Sequence, residues 1–368
     1  MITKAVRNVL SNLKLSPAMF DLLLGWLADV LPEWMASNTN KTQVYHIGLF
    51  GPSRIGKTTL IAAMVEEFKY ISTQLYKVDK THLKLASGDQ SSTERISERI
   101  NKLKSGINKG SFTTGTLTGT SSHEVFNLRF EEGKENSFKQ NFILHDFPGL
   151  WVNDPDKLNE LDMKNWDVFV LPTDAASIME SCQEKHKSVL RGNLAIDQVE
   201  NVIRDWIRQR EDFQSLCILA PVKCETYFTK PEISPILADR SQELYNKTVN
   251  EYYKGVVDII NNESRNVAFL YMPVNTIGCC YLKRPTWNPD GELEGLYAIS
   301  PEPNKDTWSP YGPANIMLQI GKFMSNEIRK APKSLRNKRI ESFLDAVDKL
   351  QSTFHNMQEP YTRQVVLK

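Results

Sequence analysis

The sequence predicts a three-layer α/β fold, a mostly parallel sheet with helices on both faces. Three observations predict it. Apolar runs of strand length alternate with helical patterns along most of the 368 residues. A glycine-rich turn joins the first apolar run to the first helical pattern of that alternation. One pair of runs, His123–Phe130 and Phe142–His145, is joined by a turn-like segment too short for a parallel crossover, so this pair is antiparallel within an otherwise parallel sheet.

Taken in order, the first element is a helix over Met19–Leu31, opened by Ser16-Pro17 and stopped by Pro32. Val44–Phe50 reads as a buried strand and Thr59–Phe68 as the helix after the glycine turn. A long polar region, Gln74–Gly119, contains a charged helical stretch at Ser92–Leu103. His123–Phe130 alternates like a half-buried strand, and Phe142–His145 is a short apolar strand ending in Asp146. Further strands are expected at Val168–Pro172, Leu216–Pro221 and Val267–Met272. Helices are expected at Ile196–Ile207, Ser241–Asn261, Ala314–Ile328 and Ser334–Phe354, the last basic and then amphipathic. This organisation divides the chain into an N-terminal helical extension (1–42), an α/β domain (43–330) and a C-terminal helical extension (331–368).

Composition narrows the class. A formal net charge of +1 provides no general attraction to nucleic acid or acidic membranes. The tryptophans lack the spacing of a base-stacking platform, so no nucleic-acid partner is expected. Five cysteines without ligand or disulfide spacing point to reduced thiols and a cytoplasmic protein. No secretory leader is recognisable at the N-terminus. Met19–Leu31 is too short to span a bilayer and carries Asp21 and Asp29. Its polar face has no Lys/Arg band, so peripheral membrane contact is not expected either. The six histidines are scattered along the sequence, and His145 is expected to point to the opposite strand face from Asp146, in a packing role.

The chemistry lies in the glycine turn. Gly51-Pro52-Ser53-Arg54-Ile55-Gly56-Lys57-Thr58 fits G-x-x-x-x-G-K-[ST], a loop whose backbone N–H groups close around phosphate oxygens at a helix start. The backbone from Gly51 through Thr59 is the expected phosphate cradle. Lys57 would reach the β- and γ-phosphates, and Thr58 would ligate Mg²⁺. Asp146-Phe147-Pro148-Gly149 fits D-x-x-G at a strand end: Asp146 would hold the metal and the Gly149 amide would sense the γ-phosphate. Gly110–Thr120 is rich in threonine and precedes the antiparallel strand, where a mobile ligand to the metal belongs. Thr116 is favoured for that part over Thr114.

Together these motifs resemble a TRAFAC-class GTPase over roughly Tyr45–Lys330, with the three-layer P-loop NTPase fold. Within the class the chain resembles the bacterial double-GTPase type domains and, less specifically, the dynamin superfamily. The resemblance implies GTP, Mg²⁺, hydrolysis of GTP to GDP and phosphate, and a nucleotide-driven switch. It also implies a protein partner or self-association through the GTPase face, and a setting in bacterial conflict with phage. The family reads guanine with N/T-K-x-D, and the matching stretch here is Val222-Lys223-Cys224-Glu225. By resemblance Lys223 lies along the base, Glu225 accepts from guanine N1 and N2, and an amide near Asn275 or Thr276 meets O6. Val222 departs from the pattern and cannot hydrogen-bond. Leu150 stands where Ras-like enzymes carry a water-orienting glutamine, so slow intrinsic hydrolysis is expected. Arg54 matches the P-loop arginine of guanylate-binding proteins and atlastins, which implies a catalytic arginine supplied in cis, beside Lys57. Two alternatives stand beside this reading: an ATPase of the same fold, and a nucleotide-bound scaffold without catalysis.

Overall fold

The structure is a computed structural model that describes residues 43–81, 83–107, 111–113, 121–132, 137–181, 184–227, 239–288, 293–299, 308–331, 333, 336–358 and 365–368. The expected helix at Met19–Leu31 and both threonines weighed as metal ligands, Thr114 and Thr116, lie outside these residues.

The predicted sheet is present. β1 (Tyr45–Leu49) lies between β5 (Lys139–Asp146) and β6 (Trp166–Asp174), and pairs with both in parallel. β7 (Ser215–Val222) and β8 (Val267–Tyr271) continue the parallel array. β4 (Glu124–Glu132) pairs antiparallel with β5, as the short connection requires. Two strands of this sheet are not foreseen by the sequence analysis: β2 (Leu83–Ser87) adds antiparallel to β4, and β11 (Val365–Val366) adds antiparallel to β8. The full order is β11-β8-β7-β6-β1-β5-β4-β2. A separate three-stranded antiparallel sheet, β3-β10-β9, is built from β3 (Ser111–Thr113), β9 (Cys280–Trp287) and β10 (Leu293–Ile299).

Strand alternation divides the core into two layers. Along β6, Val168 and Val170 face one layer while Phe169 and Leu171 face the other; along β7, Ile218 and Leu219 divide likewise. The first layer is covered by three helices. These are α1 (Lys57–Asp79), α9 (Pro313–Lys330) and α10 (Lys338–Gln358), which contribute Leu60, Met64, Ile316, Ile320, Phe343 and Val347 among others. Thus α10, from the stretch 331–368, packs into the same apolar layer as the glycine-turn helix. The second layer is covered mainly by α6 (Ile196–Gln209) and α8 (Lys254–Glu263). Between them in the chain order lies the short α7 (Ser241–Tyr245), which runs into a π-helix at Asn246–Tyr252, so the long helical pattern read at Ser241–Asn261 is broken. Shorter helices α3 (Pro155–Asn159), α4 (Ala175–Glu180) and α5 (Glu184–Asn193) fill the connections, and α2 (Gln90–Ile107) follows β2. No helix among the described residues is long and apolar enough to cross a membrane.

Two side chains fix the layers. Glu67 of α1 is buried and accepts from the backbone N–H groups of Gly312 (2.9 Å) and Ala314 (2.6 Å), capping α9, which has no side-chain cap of its own. Trp206 of α6 is fully buried, and its Nε1 donates to the Trp166 carbonyl at 2.9 Å, tying the helix to the start of β6. Trp206→Ala should lower the unfolding free energy by about 3–5 kcal/mol, through lost burial and an orphaned carbonyl. Urea denaturation followed by circular dichroism measures this; a loss under about 1 kcal/mol would contradict the packing described.

Candidate phosphate-binding site

β1 ends at Leu49, which lies in register with Asp146 at the end of β5. The chain then turns through Gly51–Gly56 into α1. Gly56 has φ +103°, a conformation that favours glycine, and it hands the chain to the helix at Lys57. Arg54 is exposed and also left-handed, at φ +64°, which is uncommon for a residue with a Cβ. The loop therefore carries backbone strain at the point where an anion would enter.

Lys57 and Thr58 occupy the first turn of α1. The buried Lys57 ammonium donates to the Gly51 carbonyl (2.7 Å) and the Pro52 carbonyl (2.8 Å), which places it across the mouth of the loop. Burial pushes its pKa down to about 8, while the negative charge of Asp146 pulls the other way. Asp146 is fully buried, and its Oδ2 lies 3.4 Å from the Thr58 hydroxyl. The two oxygen groups singled out as metal ligands are thus neighbours. Hard oxygens of this kind suit Mg²⁺, which is commonly held by one or two side chains together with phosphate oxygens and water. Among the described residues no group of three or more His, Cys, Asp or Glu side chains could hold a metal by itself.

Gly149 packs directly on the loop. A Cβ at this position would fall 2.1 Å from the Ser53 nitrogen and 2.4 Å from its Cα, so no other residue fits this approach. The D-x-x-G turn and the phosphate loop therefore touch through backbone. Leu150 next to it is 75% exposed. Behind the turn lies a cluster that sequence reading treated as scattered. His145 bridges His46 (Nδ1 to Nε2, 3.0 Å) and His123 (Nε2 to Nδ1, 3.1 Å), and Phe147 stacks on His123 at 4.5 Å. Burial, with His46 and His123 nearby, pushes His145 down to about 4, so it packs as a neutral ring.

The opposite end of the site holds the candidate base readers. Lys223 is left-handed at φ +61°, donates to the Arg54 carbonyl at 3.1 Å and forms an ion pair with Asp174. Glu225 is buried; one carboxylate oxygen accepts from the Ile277 N–H (2.7 Å) and the Gly278 N–H (3.4 Å). Burial raises its pKa and those backbone donors oppose the rise. Glu225 thus pins the 275–278 loop. The Asn275 amide donates to the Tyr311 carbonyl at 2.9 Å, so that N–H is already engaged; Thr276 is buried, and its carbonyl accepts from Trp308 Nε1 at 2.9 Å.

Sequence reading missed Asp174 and Arg99. Asp174 ends β6, caps α4 by accepting from the Ser177 N–H (3.1 Å), and meets Lys223. Arg99 of α2 reaches Glu124 and comes within 3.7 Å of Asp146 Oδ2. Its signal was present: Ile96, Arg99 and Leu103 form one helical stripe, and a charge on an apolar stripe needs a partner.

A glycine loop closed by a lysine, a threonine beside a buried aspartate, and a D-x-x-G turn on an antiparallel-then-parallel strand pair define a P-loop GTPase domain. The family model for Double-GTPase 2 matches residues 45–248, more than half of the chain, and the chain belongs to that family. No curated protein matches it. Among solved structures, the GTPase-like domain of S. cerevisiae Ski7, bound to GDP and inorganic phosphate, is similar at 12% identity and a TM-score of 0.34. That likeness covers 64% of this chain and 43% of the Ski7 chain, so less than half of the Ski7 chain is matched.

Gly149→Ala should separate the turn from the loop at a cost of about 1–3 kcal/mol, because backbone rather than a flexible side chain blocks the added methyl. Hydrogen–deuterium exchange should speed up at both 52–54 and 148–151. Unchanged exchange at either segment would show that the contact is not what holds them together.

Proposed function

We propose that this GTP-binding protein is a Mg²⁺-dependent hydrolase that cleaves GTP to GDP and phosphate and works as a conformational switch. The observation that carries the reading is the convergence of Lys57, Thr58, buried Asp146 and backbone-packed Gly149 at the end of β1. The backbone from Gly51 to Thr59 binds phosphate. Lys57 exchanges its carbonyl partners for β- and γ-phosphate oxygens, and Thr58 and Asp146 hold the metal, which supplies charge neutralisation at the phosphates. Thr116 is kept as the proposed third metal ligand. Gly149 registers the γ-phosphate through its amide, so cleavage loosens the turn that rests on Ser53.

At the base end, Lys223 lays its stem along guanine while its ammonium stays on the Arg54 carbonyl. Glu225 organises the 275–278 loop and offers its second oxygen to the base. Of the two amides considered for O6, Thr276 is the one retained, because Asn275 is engaged with Tyr311. Leu150 cannot orient water, so turnover is slow until a partner or a second copy docks on the exposed turn. Arg54, exposed at the rim of the loop, is the candidate for the cation that then completes the site. An arginine in that role contributes roughly 10³–10⁵ in rate. A cytoplasmic setting is supported by the cysteine pattern, and a role in bacterial conflict by the resemblance alone.

Lys57→Ala should abolish nucleotide binding in a calorimetric titration with GTP and Mg²⁺; retained affinity removes the central claim. Arg54→Ala should reduce turnover far more than affinity, and equal loss of both would exclude a catalytic cation there. Excess ATP should fail to compete with labelled GTP. A second reading, a nucleotide-holding scaffold, is favoured by the apolar, exposed Leu150; it expects bound nucleotide and no phosphate release under single-turnover conditions.

A further inference from the structure

We propose that Arg99 is a positioning residue, a built-in counter-cation on Asp146 that Mg²⁺ must displace, so that metal entry unlatches α2 from the nucleotide site. The inference rests on the reading of Thr58 and Asp146 as the metal ligands. Arg99 reaches the site from α2, which the sequence shows only as a charged helical stretch within a polar region. It is only 9% exposed and stacks over Phe126, with its guanidinium carbon 4.6 Å from the ring centroid. One nitrogen, Nη2, is ion-paired with Glu124 and lies 3.7 Å from Asp146 Oδ2. That is the same carboxylate oxygen that lies 3.4 Å from the Thr58 hydroxyl. Glu124 and Asp146 are register partners on β4 and β5, so the guanidinium spans a carboxylate pair fixed by the sheet.

The charges make the competition explicit. A buried carboxylate needs a nearby cation, and among the described residues Lys57 and Arg99 are cations close to Asp146. Nucleotide would draw Lys57 to phosphate, and a divalent ion held by Thr58 and Asp146 would then share the carboxylate with the permanent positive charge of Arg99. Arg99 yields, because Glu124 offers it a carboxylate on the far side. Its Nη1 is buried and has no hydrogen-bond partner among the described residues, so the side chain holds a donor in reserve for the shifted position. When Arg99 leaves Asp146, the grip of α2 on β5 loosens; when the metal leaves, the grip returns.

The test uses Mn²⁺ in place of Mg²⁺, read by electron paramagnetic resonance in the presence of excess GDP, so that no turnover is needed. Arg99→Gln should lower the half-saturating Mn²⁺ concentration by about three- to tenfold, because the competing charge is gone. Arg99→Lys should stay near the parent value. Glu124→Gln should raise the half-saturating concentration, since the arginine then rests wholly on Asp146, and this rise should vanish in the Arg99→Gln background. Unchanged values, or shifts of the same sign in Arg99→Gln and Glu124→Gln, overturn the proposal. If Arg99→Gln does not fold, Glu124→Gln and Glu124→Gln/Arg99→Lys decide: an upward shift in both supports it, and no shift overturns it. Failure of the parent protein to retain Mn²⁺ with GDP would bring down the nucleotide reading as well, whereas retention without the opposed shifts sinks only the role of Arg99.

Discussion

A carboxylate with no access to solvent governs this molecule. Asp146 is fully buried at the end of β5, beside the strand that feeds the phosphate loop. A negative charge in that position is tolerated only if cations and donors converge on it. Lys57 arrives from α1, Thr58 from the same helical turn, and Arg99 from α2. The sheet register that brings Leu49 opposite Asp146 thus decides which helices must approach, and from which side. The two apolar layers hold those helices in place.

The candidate site is built mainly from backbone at the glycine loop and from side chains at Lys223 and Glu225. Gly149 against Ser53 and the lysine across two loop carbonyls are contacts that leave little room for substitution. At the other end, Lys223 and Glu225 are each engaged with the protein itself, one with Arg54 and Asp174, the other with the 275–278 loop. Lys223 therefore connects the two ends directly, from the strand end of β7 to the strained residue of the loop.

The central strands are legible because short continuous apolar runs, bounded by turns, occur where β1, β5, β6, β7 and β8 form. The phosphate loop was legible because few other structures require glycines and a lysine at that spacing. Elsewhere local pattern was too weak. β2 is five residues of mixed character inside a polar stretch, β9 contains Pro285, and β11 has two residues, so each is specified by its neighbours in space rather than by its own sequence. The histidines 46, 123 and 145 are remote in the chain and meet only because β1, β5 and β4 are adjacent. The helical stripe of Ile96, Arg99 and Leu103 marks Arg99 as inward-facing, but only the tertiary fold reveals its partners, Glu124 and Asp146.

The small sheet β3-β10-β9 joins parts of the chain that are far apart in sequence. β9 begins two residues after Gly278, whose amide Glu225 holds, and Leu282 of β9 is tied to Thr226. Through β10 this ribbon is laced to Ser111–Thr113, the residues that lead into the threonine-rich stretch. Covalent chain and ladder hydrogen bonds thereby tie the 275–278 loop to Ser111–Thr113 by a route that does not pass through the glycine loop.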